Sequence, residues 1–251
     1  VYLDSLEQQS IAGAIDSTVA RRTNAFLTIV TELRSLSVDD QDIPSTQAAH
    51  FSAIERNVSE IHDGTQRHLR TRTNPVTLPG PVAGDAGSRG RLVEGFFQSY
   101  LSIEPHVSFL EGRMAGTAVG AGTRGPMLEA VISQTLAVAF DDLRVGEVVV
   151  VSPSVDAPVA ISARIVGVFQ PIDPSEGFWQ GDAEKFVNPR VPDAEGDDME
   201  LQPLLLGMFV TEEAMTEALR EAFTGAVVDS TWYGAVDPEA LKRWTSAEMR
   251  K

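Results

Sequence analysis

The sequence contains no cysteine and only three lysines among its 251 residues. The lack of cysteine excludes a disulfide framework, a cysteine-based zinc site and a thiol nucleophile. The longest uninterrupted apolar stretch, residues 204–210, is far shorter than the roughly 20 residues that a membrane span needs. We therefore expect no segment of this chain to cross a bilayer. No signal peptide is visible, and because the first residue is Val1 we expect the chain to be a piece of a longer protein.

Acidic residues dominate the charge of the chain. It has 36 Asp and Glu against 20 Lys and Arg, a net charge of −16. A nucleic-acid partner is disfavoured, because phosphate binding needs clustered cations. Hydrophobic residues make up 43% of the sequence, which is enough to bury a core. The composition thus predicts an acidic globular protein that does not bind nucleic acid.

The order of apolar patterns predicts an α+β fold with a mixed sheet and packed helices, built from βαβ and βαββ units. Arg67, Arg70 and Arg72 are placed at the C-terminus of the second helix, and Ser45 or Thr46 at its N-terminus. Residues 37–45 and 74–90 are predicted to be loops, and residues 170–203 largely irregular. Helices are predicted at 3–22, 51–69, 133–140, 211–223 and 237–249, and strands at 25–33, 92–100, 107–110, 130–132, 148–151, 159–169, 204–210 and 226–236.

Several patterns resemble chemical motifs but lack the context that the chemistry needs. The sequence G-x-G-x-x-G at 120–125 does not directly follow a strand, as a dinucleotide site requires. Residues 86–90 resemble a nucleophile elbow, but both flanks are predicted loop. The histidines have no helical metal-ligand spacing, so solvated or capping roles are favoured for His50, His62, His68 and His106. We predict no catalytic, cofactor-binding or metal-binding residue.

Two charged stretches are also interpreted as solvated surface. The acidic run lacks the spacing of a calcium-binding EF-hand loop; it comprises Asp193, Glu195, Asp197, Asp198 and Glu200. The second charged stretch is basic and comprises Arg67, Arg70, Arg72, Arg89 and Arg91. Binding to anionic lipid head groups is the less favoured interpretation of this stretch.

Four short motifs in residues 94–179 resemble the extracytoplasmic domain of FtsX/MacB-type ABC transporter permeases, the MacB-like periplasmic core domain. Residues 107–113 (VSFLEGR) are similar to an apolar strand that ends in EGR, and residues 128–137 (LEAVISQTLA) to a strand followed by a helix. Residues 143–147 (LRVGE) are similar to the turn LxVGD, with Glu147 where Asp is common, and residues 165–171 (IVGVFQP) to the strand VVGIFxP. Weaker similarity continues through Asp173 to Trp179, residues 206–211 and residues 232–238.

The resemblance implies a location and a mechanical role. Residues 1–251 would form a single extracytoplasmic domain between two transmembrane helices: a helix-rich part at 1–75, a βαββ core at 91–170 and a closing strand–helix–strand at 204–236. The domain would relay ATP-driven conformational change to a substrate or partner protein outside the cell membrane. Its implied partners are a cytoplasmic ABC ATPase subunit and either a second permease copy or an extracytoplasmic protein.

Two other interpretations stay open. The chain is alternatively a secreted or lipid-anchored binding module with the same fold and no transport role. A hydrolase that uses carboxylates from residues 170–200 is a third interpretation, although it needs two carboxylates that converge in a cleft. We expect no enzymatic activity and no cofactor.

Three structural expectations follow. The two chain ends should lie close together on one face, so that the domain can return to the bilayer near where it left. Residues 130–169 should form a βαβ unit in which Ser133 caps the helix, Leu136 and Phe140 pack on the sheet, and residues 148–151 pair with 159–169. The acidic run 193–200 should be mobile and, with loop 116–124, should contact a partner, because loops carry variable function on a fixed scaffold.

Overall fold

The computed structural model describes residues 28–38, 43–58, 62–79, 93–140, 143–154, 156–179 and 204–236. Four sequence features lie outside these residues: the helix predicted at 3–22, the elbow-like loop 86–90, the acidic run 193–200 and the helix predicted at 237–249. None of the helices in the described ranges has the length and apolar character of a membrane span.

The described residues form eleven strands and three α-helices. The strands are β1 (Thr28–Ser37), β2 (His62–Thr71), β3 (Asn74–Thr77), β4 (Val93–Tyr100), β5 (Val107–Gly112), β6 (Gly120–Ala121), β7 (Pro126–Ser133), β8 (Val148–Val151), β9 (Ile161–Pro171), β10 (Leu204–Phe209) and β11 (Val227–Val236). The helices are α1 (Ile43–Val58), α2 (Gln134–Ala139) and α3 (Glu212–Ala222), and short 3-10 turns lie at Glu104–His106 and Gly177–Trp179.

All eleven strands belong to one mixed sheet. Its hydrogen-bonded order is β1-β11-β2-β4-β10-β7-β9-β8-β3, with β5 on β9 and β6 on β7. The pairs β4–β10 and β7–β9 are parallel and the others antiparallel. Because β3 also pairs with β4, six strands close into a ring, β4-β10-β7-β9-β8-β3, from which β2, β11 and β1 extend. The predicted α+β class with a mixed sheet is confirmed.

The βαβ unit at residues 130–169 forms as expected. The Ser133 hydroxyl accepts a hydrogen bond from the Leu136 amide and so caps α2. Leu136 and Phe140 are buried in the core, β7 lies parallel to β9, and β8 pairs antiparallel with β9 from Val148↔Arg164 to Val151↔Ile161. The strands are longer or shifted at their ends, since β7 begins at Pro126 and β9 at Ile161.

The helix predicted at 51–69 is wrong in its second half. Helix α1 begins at Ile43 and ends at Val58, so Ser45 and Thr46 lie inside it, and His62–Thr71 is strand β2. That strand lies between β11 and β4 and pairs with both. Leu69 and Thr71 are buried on one face of the strand and His68 on the other, so both faces are covered.

Smaller corrections concern the first half of the chain. Strand β1 extends to Ser37, four residues beyond the predicted end, and α1 begins at Ile43, so both elements overlap the ends of the loop predicted at 37–45. Residues Asn74–Thr77, predicted as loop, form β3. This short strand contains Pro75 and completes the ring by pairing with both β4 and β8.

Two clusters of buried side chains occupy opposite faces of the sheet. The first draws residues from the strands of the ring and from α2 and α3; it includes Phe97, Leu128, Ala130, Ile132, Leu136, Phe140, Val149, Val151, Ile161, Ala163, Ile165, Leu206, Met208, Met215 and Leu219. The second is aromatic and comprises Tyr100, Ile103, Val107, Ala115, Val131, Val166, Phe169, Phe178, Trp179 and Phe209. Burial on both faces explains why β7 and β9 are apolar at most positions.

Candidate functional site

The first two permease-like motifs meet in an ion pair. Arg113 follows β5 and donates through Nη1 and Nη2 to the two carboxylate oxygens of Glu129 on β7, at 2.7 and 2.6 Å. The Gly116 amide donates to the same carboxylate at 2.8 Å. These donors hold the pKa of Glu129 below its usual value, with the Arg113 hydrogen bond the largest cause. Glu129 therefore remains ionised at neutral pH and fixes the start of the glycine-rich loop, residues 116–124.

The first and fourth motifs cross at two glycines, Gly112 and Gly167. Gly112 has φ of 73°, and a Cβ there would lie 2.0 Å from the Val166 carbonyl oxygen. Gly112 pairs with Gly167 on β9, where a Cβ would lie 2.3 Å from the Arg113 carbonyl oxygen. Only residues without a side chain let the two backbones approach this closely.

The LRVGE motif is a turn that leads into β8. The Arg144 amide donates to the Glu147 carboxylate at 2.7 Å, and the Gly146 amide donates to the Ile165 carbonyl at 2.8 Å. Ile165 returns a hydrogen bond from its amide to the Glu147 carbonyl at 2.9 Å. The third motif is thereby joined to the fourth, so all four motifs form one contiguous unit around β9.

The sequence G-x-G-x-x-G at 120–125 forms a tight hairpin between β6 and β7. The Gly122 amide donates to the Gly125 carbonyl at 2.7 Å, and strand β7 follows directly at Pro126. A Cβ on Gly122 would lie 2.8 Å from the Ser162 hydroxyl. The motif thus serves a turn packed on β9, and the helix that a dinucleotide site requires is replaced here by a strand.

The structure places two of the four histidines, His68 and His106, in contact with other side chains. His68 is buried on β2, stacks on Tyr100 with ring centroids 4.3 Å apart, and shares a 3.1 Å hydrogen bond with Gln98. Its environment corrects the solvated interpretation. His106 is partly buried, bonds Glu176 at 3.0 Å and stacks on Phe178 at 3.7 Å.

Burial controls the chemistry of the His68 pair. It lowers the pKa of His68 to about 3, with the Gln98 hydrogen bond opposing and the Arg70 charge adding to the shift. Burial likewise raises the pKa of Tyr100 well above its usual value. Both rings are therefore neutral at pH 7 and pack as part of the aromatic cluster.

Two arginines of the predicted basic stretch are engaged with the protein rather than solvated. The Arg70 guanidinium lies 3.8 Å from the centre of the Phe96 ring, and burial lowers the pKa of Arg70. Arg67 donates to the Gln47 side-chain oxygen on α1 and to the Glu212 carboxylate on α3, and its guanidinium carbon lies 5.5 Å from the centre of Trp232 on β11. Arg72 is exposed.

The Arg67 ion pair is partly removed from water. The exposed fractions of the two side chains are 17% for Arg67 and 23% for Glu212. Desolvation raises the pKa of Glu212, and the Arg67 charge acts in the opposite direction. The two partners are 145 positions apart in the sequence, so no local pattern could have indicated this contact.

The described residues offer hydrogen bonds and ion pairs that position loops and helices. In the described ranges, no group of three His, Asp or Glu side chains is arranged to hold a metal ion. The candidate functional region is therefore the set of contacts at the N-terminus of α3 and the adjoining glycine-rich loop, where Arg67, Glu212, Thr211, Gly116 and Glu129 meet.

No family model matches the chain, and no curated protein matches it. Solved structures similar to it include a domain of a protein named as a permease from Porphyromonas gingivalis, at 14% identity, a TM-score of 0.35, and coverage of 86% of this chain and 76% of that one. Another is the periplasmic region of MacB from Actinobacillus actinomycetemcomitans, at 8% identity, a TM-score of 0.38, and coverage of 94% and 84%. The low TM-scores of both structures leave the function to be argued from this chain's own residues.

Proposed function

We propose that this chain is the extracytoplasmic domain of a bacterial ABC transporter permease, a single domain between two membrane helices that relays ATP-driven movement to a substrate or partner protein. The pairing of β1 with β11 supports this proposal. These are the first and last described strands, and they run antiparallel with Thr28 opposite Ala235. The chain therefore enters and leaves the described domain at one place, as an insertion between two membrane helices must.

The four permease-like motifs give a second line of support. Each occupies a structural position that its residue types explain: the first and fourth motifs cross at Gly112 and Gly167, the second caps a helix at Ser133, and the third turns at Gly146. None of these positions exposes a nucleophile or an acid–base pair. In this proposal ATP hydrolysis belongs to a cytoplasmic ATPase subunit, and the domain contributes a rigid ring joined to a sheet extension.

Site-directed labelling tests the location. Because the 251 residues contain no cysteine, a full-length protein without other cysteines can carry one reporter. We expect the exposed variant Ser154→Cys to react with a membrane-impermeant maleimide in intact cells, or in spheroplasts where an outer membrane blocks access. The buried neighbour Ser152→Cys is the matched control and should react only after denaturation. Labelling of Ser154→Cys only after lysis would contradict the proposal.

Membrane fractionation and copurification test the role. The full-length protein should remain in the membrane fraction and copurify with an ATPase subunit whose activity depends on the permease. Release of the protein into the medium, or membrane attachment through a lipid alone, would instead favour the binding module.

A further inference from the structure

Arg67 links four elements of the fold. Its side chain leaves β2, bonds α1 through Gln47, bonds α3 through Glu212 and lies against Trp232 on β11. Gln47 is buried, and Phe51 of α1 stacks on the same Trp232 with ring centroids 5.2 Å apart. The attachment of α1 to the sheet is therefore centred on Arg67 and Trp232.

The residue next to Glu212 holds the glycine-rich loop. Thr211 caps α3 by accepting a hydrogen bond from the Ala214 amide at 3.3 Å, and its hydroxyl donates to the Gly116 carbonyl at 3.4 Å. The Gly116 amide is held from the other side by Glu129. Thr211 thus contacts the loop at Gly116, and the next residue, Glu212, contacts Arg67, which holds α1.

Helix α3 itself is well packed. Ala214, Met215, Ala218 and Leu219 are buried, and the helix contacts β7, β4 and β9. A helix held along its length moves as a unit, so a displacement at its first turn is shared by everything attached there.

We propose that the N-terminus of α3 is a coupling junction, at which Arg67 ties the placement of α1 to the order of the loop around Gly116. Loosening either attachment then loosens the other, because a coupling free energy acts equally in both directions. This inference concerns contacts within the chain and does not rest on the proposed transport function, so its test can fail or succeed independently of that function.

The test is amide hydrogen exchange of the 251-residue chain, measured by NMR. Arg67→Met removes both hydrogen bonds and retains most of the side chain. We expect exchange to increase at least tenfold in α1 and also at the Gly116 amide. Gly116 lies 45 positions beyond Thr71, the last residue of β2, so Arg67 can influence it only through space. The exchange rates of amides in β8 and β9 should rise no more than they do in the control variant described next.

The matched control is Arg220→Met. Arg220 lies at the other end of α3 and donates through Nε to the Val38 carbonyl at 3.1 Å. The Arg220→Met variant should leave exchange at the Gly116 amide unchanged. Equal loosening of Gly116 by both variants would mean general destabilisation and would overturn the proposal, as would faster exchange in α1 with no change at Gly116.

The reciprocal variant is Glu129→Gln, which weakens the hold on Gly116 and should accelerate exchange in α1. Unchanged exchange in α1 with a loosened Gly116 would also overturn the proposal. If Arg67→Met does not fold, Arg67→Lys serves in its place, because it keeps the charge but cannot donate to Gln47 and Glu212 through a planar fork. Exchange at the amides of α1 and at the Gly116 amide is then compared in the same way.

Discussion

At the residue scale, His68 shows how packing determines ionisation. The ring lies between β2 and β4, stacked on Tyr100 and bonded to Gln98, with Arg70 nearby. Protonation would place a charge inside the aromatic cluster beside another cation. Burial therefore lowers the pKa of His68 to about 3, and the folded protein binds this proton less tightly than the unfolded chain does.

This difference predicts a pH-dependent stability. Since the folded pKa is depressed below the unfolded value near 6.5, the contribution to the free energy of unfolding is full above pH 6.5 and is lost progressively as the pH falls toward 3. The slope of the free energy of unfolding against pH approaches about 1.4 kcal/mol per pH unit. Urea unfolding of the wild type and of His68→Gln between pH 6.5 and 4.5 measures it. Parallel pH profiles for the two proteins would show that His68 is not buried as described.

Phe140 gives a prediction about packing alone. Its side chain is 4% exposed at the end of α2 and belongs to the first hydrophobic cluster. Phe140→Ala should lower the free energy of unfolding by roughly 3–5 kcal/mol, since it removes a ring and leaves a cavity. Val138→Ala, on the same helix but exposed, is the control and should change stability little. A wild-type melting temperature for Phe140→Ala would refute this packing.

At the element scale, the crossing of β5 and β9 depends on the space at Gly112. Gly112 and Gly146 both have positive φ, 73° and 96°, but only Gly112 faces the backbone of another strand. Gly146→Ala should cost about 1 kcal/mol for its left-handed backbone. Gly112→Ala should cost about 1–3 kcal/mol more, because the Val166 carbonyl must move away. Chemical denaturation of both variants provides the comparison, and equal losses would contradict the close crossing.

Local signals explain which elements were predictable. The strand β7, its cap Ser133 and the helix α2 follow one another within a few residues, so composition and capping sufficed. Strand β2 is different because its pairing partners lie far away in the sequence, on β4 and β11. Apolar residues at helical spacing occur there too, and tertiary pairing overrides that pattern.

The candidate site was predictable only in its parts. Gly112 and Gly146 have positive φ and Gly167 lies against the Arg113 backbone, all positions for which glycine is the residue type to expect. The pairing of Arg113 with Glu129 and of Arg67 with Glu212 could not be inferred, because an arginine and a glutamate carry no information about which partner they find. Burial of His68 was missed for the same reason, since it depends on rings from β4.

At the scale of the whole molecule, the sheet combines a closed ring with a three-stranded extension. The ring buries its interior by pairing β3 with both β4 and β8. The extension β2-β11-β1 carries the first and last described strands. The chain ends lie outside the described residues, but Thr28 and Ala235 are directly paired, so the expectation that the termini share one face remains a prediction with this pairing in its favour.

Loop 116–124 gives the prediction that concerns function most directly. Gly116 is fixed from two sides, whereas Thr117 and Ala118 are exposed. If this tip contacts a partner protein, the double variant Thr117→Glu, Ala118→Lys should reduce partner binding or transport by the full-length permease at least tenfold without lowering the melting temperature. Bulky charged side chains would block the approach without touching the core.

A loop of similar exposure elsewhere in the domain provides the control for the tip variant. Pro153 and Ser154 lie exposed between β8 and β9, and Ser154→Lys should leave binding and transport intact. The acidic run 193–200 is the other segment expected to contact a partner, and a variant in which it is shortened is measured in the same assay. Loss of binding in the tip variant alone would place the contact at residues 117 and 118. A partner that binds through charge would lose affinity when the acidic run is shortened as well. Full activity after both loops are altered would place the contact on another surface.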